Sequence, residues 1–178
     1  FSKIQQGYVQ ILQVSTAGGE LSSVRTELPN PDILGISPDG SQILARSFAF
    51  EVNYMFDSPL WVLPLPSGPP RRLGDLSGHA ATWSPDGQQI AFAREKDLYV
   101  AKSDGTQARK LVTLEGHAFW LSWAPGGRRL SFTLRNDLGD FLWETFQDGT
   151  HLHRLFPGWG GTVLGNWTPD GKYFIFSG

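Results

Sequence analysis

Cysteine is absent from the 178 residues, so no disulfide and no thiolate-held metal contributes to this fold, and the redox compartment is left open. Long apolar runs are missing too: no stretch approaches the roughly 20 residues of a membrane-spanning helix, and no membrane contact by this segment is expected. Nor is there a basic run. Lys and Arg number 15 against 17 Asp and Glu, a net charge of −2 that lacks the electrostatic footprint of a nucleic-acid partner. The common catalytic signatures are missing as well: there is no Gly-x-Ser-x-Gly elbow, no His-Glu-x-x-His, no phosphate loop and no cysteine nucleophile. Ser, His and Asp are scattered without a shared local frame, so neither catalytic residues nor a cofactor are expected. The sequence opens on Phe1 without a signal peptide, and a targeting segment is expected to have been removed or to lie outside these residues.

Turn residues and aromatics are what the chain has in quantity, with 21 Gly, 12 Pro and 13% Phe, Trp and Tyr. Together with 40% hydrophobic residues and a length normal for one domain, this describes a folded, turn-rich chain with much to bury. A four-fold repeat organises it. The copies are "GISPDGSQILARS" from Gly35, "ATWSPDGQQIAFAR" from Ala81, "LSWAPGGRRLSFTLR" from Leu121 and "GNWTPDGKYFIFSG" from Gly165. Trp83, Trp123 and Trp167 precede the turn in three copies, where the first has Ile36. Turn triplets follow at Pro38, Asp39 and Gly40, at Pro85, Asp86 and Gly87, and at Pro169, Asp170 and Gly171, while Gly126 stands for the Asp in the copy at Pro125. Pro presets φ for the first corner of a type I turn, and Gly accepts the left-handed conformation after it.

The four prolines lie 47, 40 and 44 residues apart, close to the roughly 40–45 of a four-stranded propeller blade. Behind each turn runs an alternating apolar strand, then a third strand ("PLWVLPL", "DLYVAKS", "FLWETFQ"), a further turn ("PSGPP", "SDGTQ", "QDGTH") and a fourth strand. The expected fold is therefore all-β, a β-propeller of four-stranded antiparallel blades occupying residues 1–178 as a single domain. Approximate units are 1–31, 32–78, 79–116, 117–160 and 161–178. The first is expected to hold only strands three and four, with Gly18 and Gly19 at their turn, and the last only strands one and two. Three whole blades and two complementary halves make four blades' worth. The expected closure is an eight-bladed ring of two chains, each completing the other's blade, because eight blades pack as nearly facing sheets; the alternative is a four-bladed monomer.

The "WSPDG..IAF" and "WTPDGKYFIF" strings resemble the TolB-type, WD-like propeller repeat over nearly the whole chain, and "NWTPDGKYFIFSG" is similar to the propeller of bacterial sensors with a winged-helix domain upstream. The resemblance implies a non-catalytic interaction or ligand-sensing module of a larger bacterial signalling protein. It also implies a protein or peptide partner, with a small ligand as the other option, and a periplasmic or other extracytoplasmic location in preference to the cytoplasm. Two alternatives follow from related rings: the gating propeller of a prolyl-oligopeptidase-like peptidase, and a metal-dependent polysaccharide lyase.

In a meander, the second turn of each blade and the inter-blade connections open on one face. On that face the sequence places the insert "SFAFEVNYMFDSP", the "GHA" connections at His79 and His117, the "NDLGD" turn and "PGWGG". Phe48, Phe50, Tyr54 and Phe56 in the insert, with Trp159, are the candidate binding surface, since long connections carry function more often than short ones. Metal ligation by His79 and His117 with Asp97, Asp137 or Asp140 is the weaker reading of the histidines. WD-type repeats, which the chain resembles, imply instead buried hydrogen-bond pairs, His79 with Asp97 and His117 with Asp137. Trp83, Trp123 and Trp167 are expected to pack between neighbouring blades rather than to line a channel.

Overall fold

The computed structural model describes residues 2–5, 8–47, 55–158, 161 and 164–177, and these contain strands and turns but no helix. Strands β1 (Ser2–Gln5), β2 (Tyr8–Gln13) and β3 (Ser22–Val24) form the first sheet. The second holds β4 (Pro31–Ile36), β5 (Gln42–Ser47), β6 (Ser58–Pro64) and β7 (Arg71–Gly78). The third holds β8 (Ala80–Trp83), β9 (Gln89–Arg94), β10 (Asp97–Lys102) and β11 (Arg109–Thr113). The fourth holds β12 (His117–Trp123), β13 (Arg129–Asn136), β14 (Gly139–Phe146) and β15 (His153–Arg154), and the fifth β16 (Leu164–Trp167) and β17 (Phe174–Ser177). Every pairing is antiparallel between consecutive strands, as a meander requires.

The turn between first and second strands is built the same way in three of the four copies. Gly40 N–H donates to the Ser37 carbonyl at 2.8 Å, and the Ser37 hydroxyl donates to Asp39 at 2.6 Å; Ser84 with Asp86, and Thr168 with Asp170, repeat the side-chain bond at 2.6 Å. Where Gly126 replaces the Asp, only the backbone bond from Gly127 to Ala124 survives, at 2.8 Å. Gly87 and Gly171, both at φ +69°, pack their α-carbons toward Pro38 and Pro125 of the preceding unit, so the turns stack around the ring.

Alternation puts one side of each second strand against the next sheet. Register pairs Leu44 with Val62, Ala91 with Val100 and Ser131 with Glu144. Leu44 and Val62 pack with Trp83 and Phe92, while Ala91 and Val100 pack with Trp123 and Phe132. At about 25 cal/mol per Å² of apolar area these inter-sheet layers are the main stabilising contribution. First strands β4, β8, β12 and β16 lie side by side and wall the inner surface of the ring.

The first sheet differs from the sequence expectation. Tyr8–Gln13 and Ser22–Val24 are the anticipated strands three and four, but Ser2–Gln5 adds a third strand on the inner side of β2, away from β3. That is the place a second strand occupies in a whole blade, the same place β17 holds in the fifth sheet. The two ends are therefore not simple complements, and they form separate sheets rather than one four-stranded blade.

Candidate functional site

Between β4, β8 and β12 lies a cavity of about 460 Å³, on the face of the connections that the sequence singled out. Its floor is aliphatic, with Ile33, Leu34, Ala80, Ala81 and Leu121; Asp32, Arg46, His79 and Arg135 supply the polar lining, and Phe119 and Trp120 form one wall. The size and the mixture of apolar floor with a few polar groups are those of a small-ligand or side-chain pocket.

Local structure explains how the wall arises. From His79 to Trp83 the inner strand of the third sheet is short, but "HAFWLSW" is two residues longer, and β12 absorbs the excess partly as a bulge between Phe119 and Ser122. Trp120 in that bulge takes φ +49°, a conformation a bulky residue rarely adopts, and its side chain stays 42% exposed. The Arg135 guanidinium lies over both rings, 5.1 Å from the Phe119 centroid and 5.9 Å from that of Trp120. Asp140 grips the same guanidinium through Nε at 2.8 Å and Nη2 at 2.6 Å. The Arg135 hydrogen bond holds the Asp140 carboxyl below the usual carboxylate range.

Opposite, Arg46 is only 3% exposed and its Nε donates to Asp32 at 2.9 Å. It stands in an alternating strand where the next two sheets have Ala93 and Thr133, and its Nη1 also reaches the Phe56 carbonyl at 3.3 Å. Burial of an arginine is tolerated because a carboxylate and a carbonyl replace its water.

His79 is buried, and its two ring nitrogens bridge different sheets: Nδ1 lies 2.8 Å from Asp57 and Nε2 3.0 Å from the Ala118 carbonyl. Asp57 also accepts from the Glu95 N–H at 3.0 Å, which ties the end of the long insert to the third sheet at two points. This corrects the expected pair with Asp97, whose carboxylate accepts from Thr113, Tyr99 and Lys110 and is lowered chiefly by the Thr113 hydroxyl. The reason is topological, since the connection faces the second turn of the preceding sheet rather than that of its own. His117 is not paired with Asp137 either: its Nδ1 is buried without a partner among the described residues, and its ring lies edge-on to that of His79 with centroids 5.7 Å apart. Asp140 is engaged by Arg135, and among the described residues no three His, Cys, Asp or Glu side chains are grouped to hold a metal.

Of the candidate binding aromatics, Phe48, Phe50, Tyr54 and Trp159 lie outside the described residues, and Phe56 is 60% exposed. Trp83 and Trp123 are buried between sheets, and Trp167 is half-buried with its Nε1 donating to the Ser131 hydroxyl at 2.8 Å. Arg46, Asp57, Trp120 and Arg135 escaped the sequence reading. Two had a signal: a charge inside an alternating apolar strand for Arg46, and two surplus residues before a repeat tryptophan for Trp120.

Comparison with known proteins agrees with this architecture. Residues 37–121 match the model of the dipeptidyl peptidase IV N-terminal region. An uncharacterized protein of Agrobacterium fabrum is 26% identical over 151 residues, which are 80% of this chain and 49% of that protein. The uncharacterized peptidase YuxL of Bacillus subtilis is 26% identical over 114 residues, 60% of this chain and 17% of its own length. The chain thus spans about half of one curated relative and a small part of the other. Among solved structures, a putative TolB from Agrobacterium tumefaciens superposes with a TM-score of 0.79 at 22% identity, covering 98% of this chain and 64% of that one. With its sheets of antiparallel strands ranged around a common inner wall, the chain is a β-propeller of the TolB-like fold.

Proposed function

We propose that the chain is a non-catalytic interaction module, part of a larger bacterial signalling protein, that takes a protein or peptide partner on the face bearing the cavity. Trp120 is the observation that carries this reading: a bulky residue is held at φ +49° beside a cavity and left 42% exposed there, so part of its surface stays open to a partner. Exposed aromatics next to an arginine are the residue types that anchor partners. An extracytoplasmic setting belongs to the same reading, supported by the likeness to TolB propellers. Selection of displayed peptides on the immobilised protein tests it. Peptides recovered on the native chain are expected to bind at least about tenfold more weakly to the Phe56→Ser/Trp120→Ser variant at an unchanged melting temperature. Equal binding by the variant sinks the proposal.

A second reading, the gating propeller of a peptidase, is favoured by the match of residues 37–121 to the dipeptidyl peptidase IV N-terminal region and by the relative named as a peptidase. The parent gene separates the two: an α/β-hydrolase domain in it supports the gate, and a winged-helix domain the sensor.

A further inference from the structure

A guanidinium offers two edges suited to bidentate recognition, and Asp140 occupies one of those of Arg135, the Nε–Nη2 edge. Among the described residues Nη1 has no hydrogen-bond partner, so the Nη1–Nη2 edge keeps one N–H on each nitrogen. Its side chain is 42% exposed and lines the cavity, which makes that edge accessible. Asp140 fixes the plane of the group from behind, and Phe119 and Trp120 fix it from one face. The arginine is thereby oriented before any ligand arrives. Beside it, the exposed Trp120 ring and the aliphatic floor of Leu34 and Leu121 offer a surface for a flat apolar group.

The geometry points to a binding site for a carboxylate attached to an aromatic group, with the carboxylate on the second edge of Arg135 and the ring against Trp120. This rests on the reading of the cavity-bearing face as a binding face and adds the chemistry of its ligand. Charge decides among anions. Asp32 and Asp140 already offset the formal charges of Arg46 and Arg135, so one further negative charge is accommodated more readily than the two of a phosphate monoester or hydrogen phosphate. A cavity of about 460 Å³ holds one amino-acid-sized group together with part of its backbone. Two sources share this chemistry, a free aromatic acid and the C-terminal residue of a peptide.

Calorimetric titration of the full chain with N-acetylphenylalanine and with its amide isolates the carboxylate. The acid is expected to bind at least about tenfold more tightly than the amide, because the amide places an N–H₂ against N–H donors. Arg135→Lys keeps the charge but removes the fork, and is expected to weaken the acid about tenfold and to abolish its advantage. Should that variant fail to fold, Trp120→Leu, altering an exposed ring, is expected to weaken acid and amide together while leaving the melting curve in place. Gly-Gly-Phe with a free or an amidated C-terminus identifies the source: tighter binding than N-acetylphenylalanine assigns a peptide end, weaker binding a free acid. The inference is overturned if acid and amide bind alike, if neither saturates, or if inorganic phosphate displaces the acid. Selected peptides that bind with a blocked C-terminus and lose binding in the Phe56→Ser/Trp120→Ser variant would leave the binding face standing without it.

Discussion

Ser131 does at one position what two equivalent residues cannot. Its hydroxyl accepts from Trp167 Nε1 at 2.8 Å and donates to the Ser122 carbonyl at 3.1 Å, whereas Trp83 and Trp123 bury their Nε1 atoms without a partner among the described residues. The equivalent residues on β5 and β9 are Leu44 and Ala91, which carry no acceptor side chain. Ser131→Ala is expected to lower stability by about 0.5–1.5 kcal/mol in urea unfolding. Ala91→Ser, placed opposite Thr82 as Ser131 is opposite Ser122, offers Trp123 the missing acceptor and is expected to raise stability by up to about 1 kcal/mol. The turn aspartates set the response to acid. Asp39 is lowered to about 2, mainly by the Ser37 hydroxyl, and Asp86 and Asp170 are lowered chiefly by Ser84 and Thr168. Carboxyls lowered in the folded state stabilise it fully above their unfolded value of about 3.9, and that contribution is lost as pH falls through the folded values. The melting temperature is therefore expected to fall between about pH 4 and pH 2, and Asp39→Asn/Asp86→Asn/Asp170→Asn to flatten that fall.

At the scale of elements, the connections between sheets explain why Gly precedes each of the two histidines. A side chain at Gly78 would run into the Ala93 carbonyl, and one at Gly116 into that of Arg135, both well inside 3.0 Å. The close approach lets the His79 N–H donate to the Ala93 carbonyl at 3.0 Å and delivers the imidazole into the cavity lining. Gly116→Ala is expected to lower stability by about 1–3 kcal/mol, as overpacking against backbone does, and to disturb Arg135 as well. A fluorescence change on titration with an aromatic acid, lost in that variant at temperatures where it remains folded, checks the second effect. The repeat ended its units at these glycines. Their role as points of contact came from the neighbouring sheet.

Across the whole molecule, cover is unequal. Sheets two, three and four contribute Leu44, Ile90, Leu98, Leu130 and Phe132, all at most 1% exposed, whereas in the fifth sheet Leu164 and Ile175 are 46% and 66% exposed. Native-state hydrogen exchange is expected to protect amides of β9 and β13 most and those of β16 and β17 least, by at least about tenfold in rate. Uniform protection across the sheets would show that the fifth sheet is covered in solution. The same experiment bears on the expected two-chain ring, because an exchange of end strands requires β17 to take the place that β1 holds beside β2.

The sequence by itself determined the all-β meander, the blade period and the face that carries the unusual connections, because turn chemistry and alternation are local properties that repeat every forty-odd residues. It also marked Trp83 and Trp123 for burial between sheets. What only the tertiary structure decided is which groups meet: within the fourth sheet Arg135 and Trp120 converge across a bulge, and across sheets His79 finds Asp57 from the sheet before and Ala118 from the sheet after. Such meetings depend on how far each sheet is rotated and shifted against the next, which no local pattern encodes. The end strands show the same limit, since Ser2–Gln5 joins β2 through backbone hydrogen bonds that carry no side-chain signature.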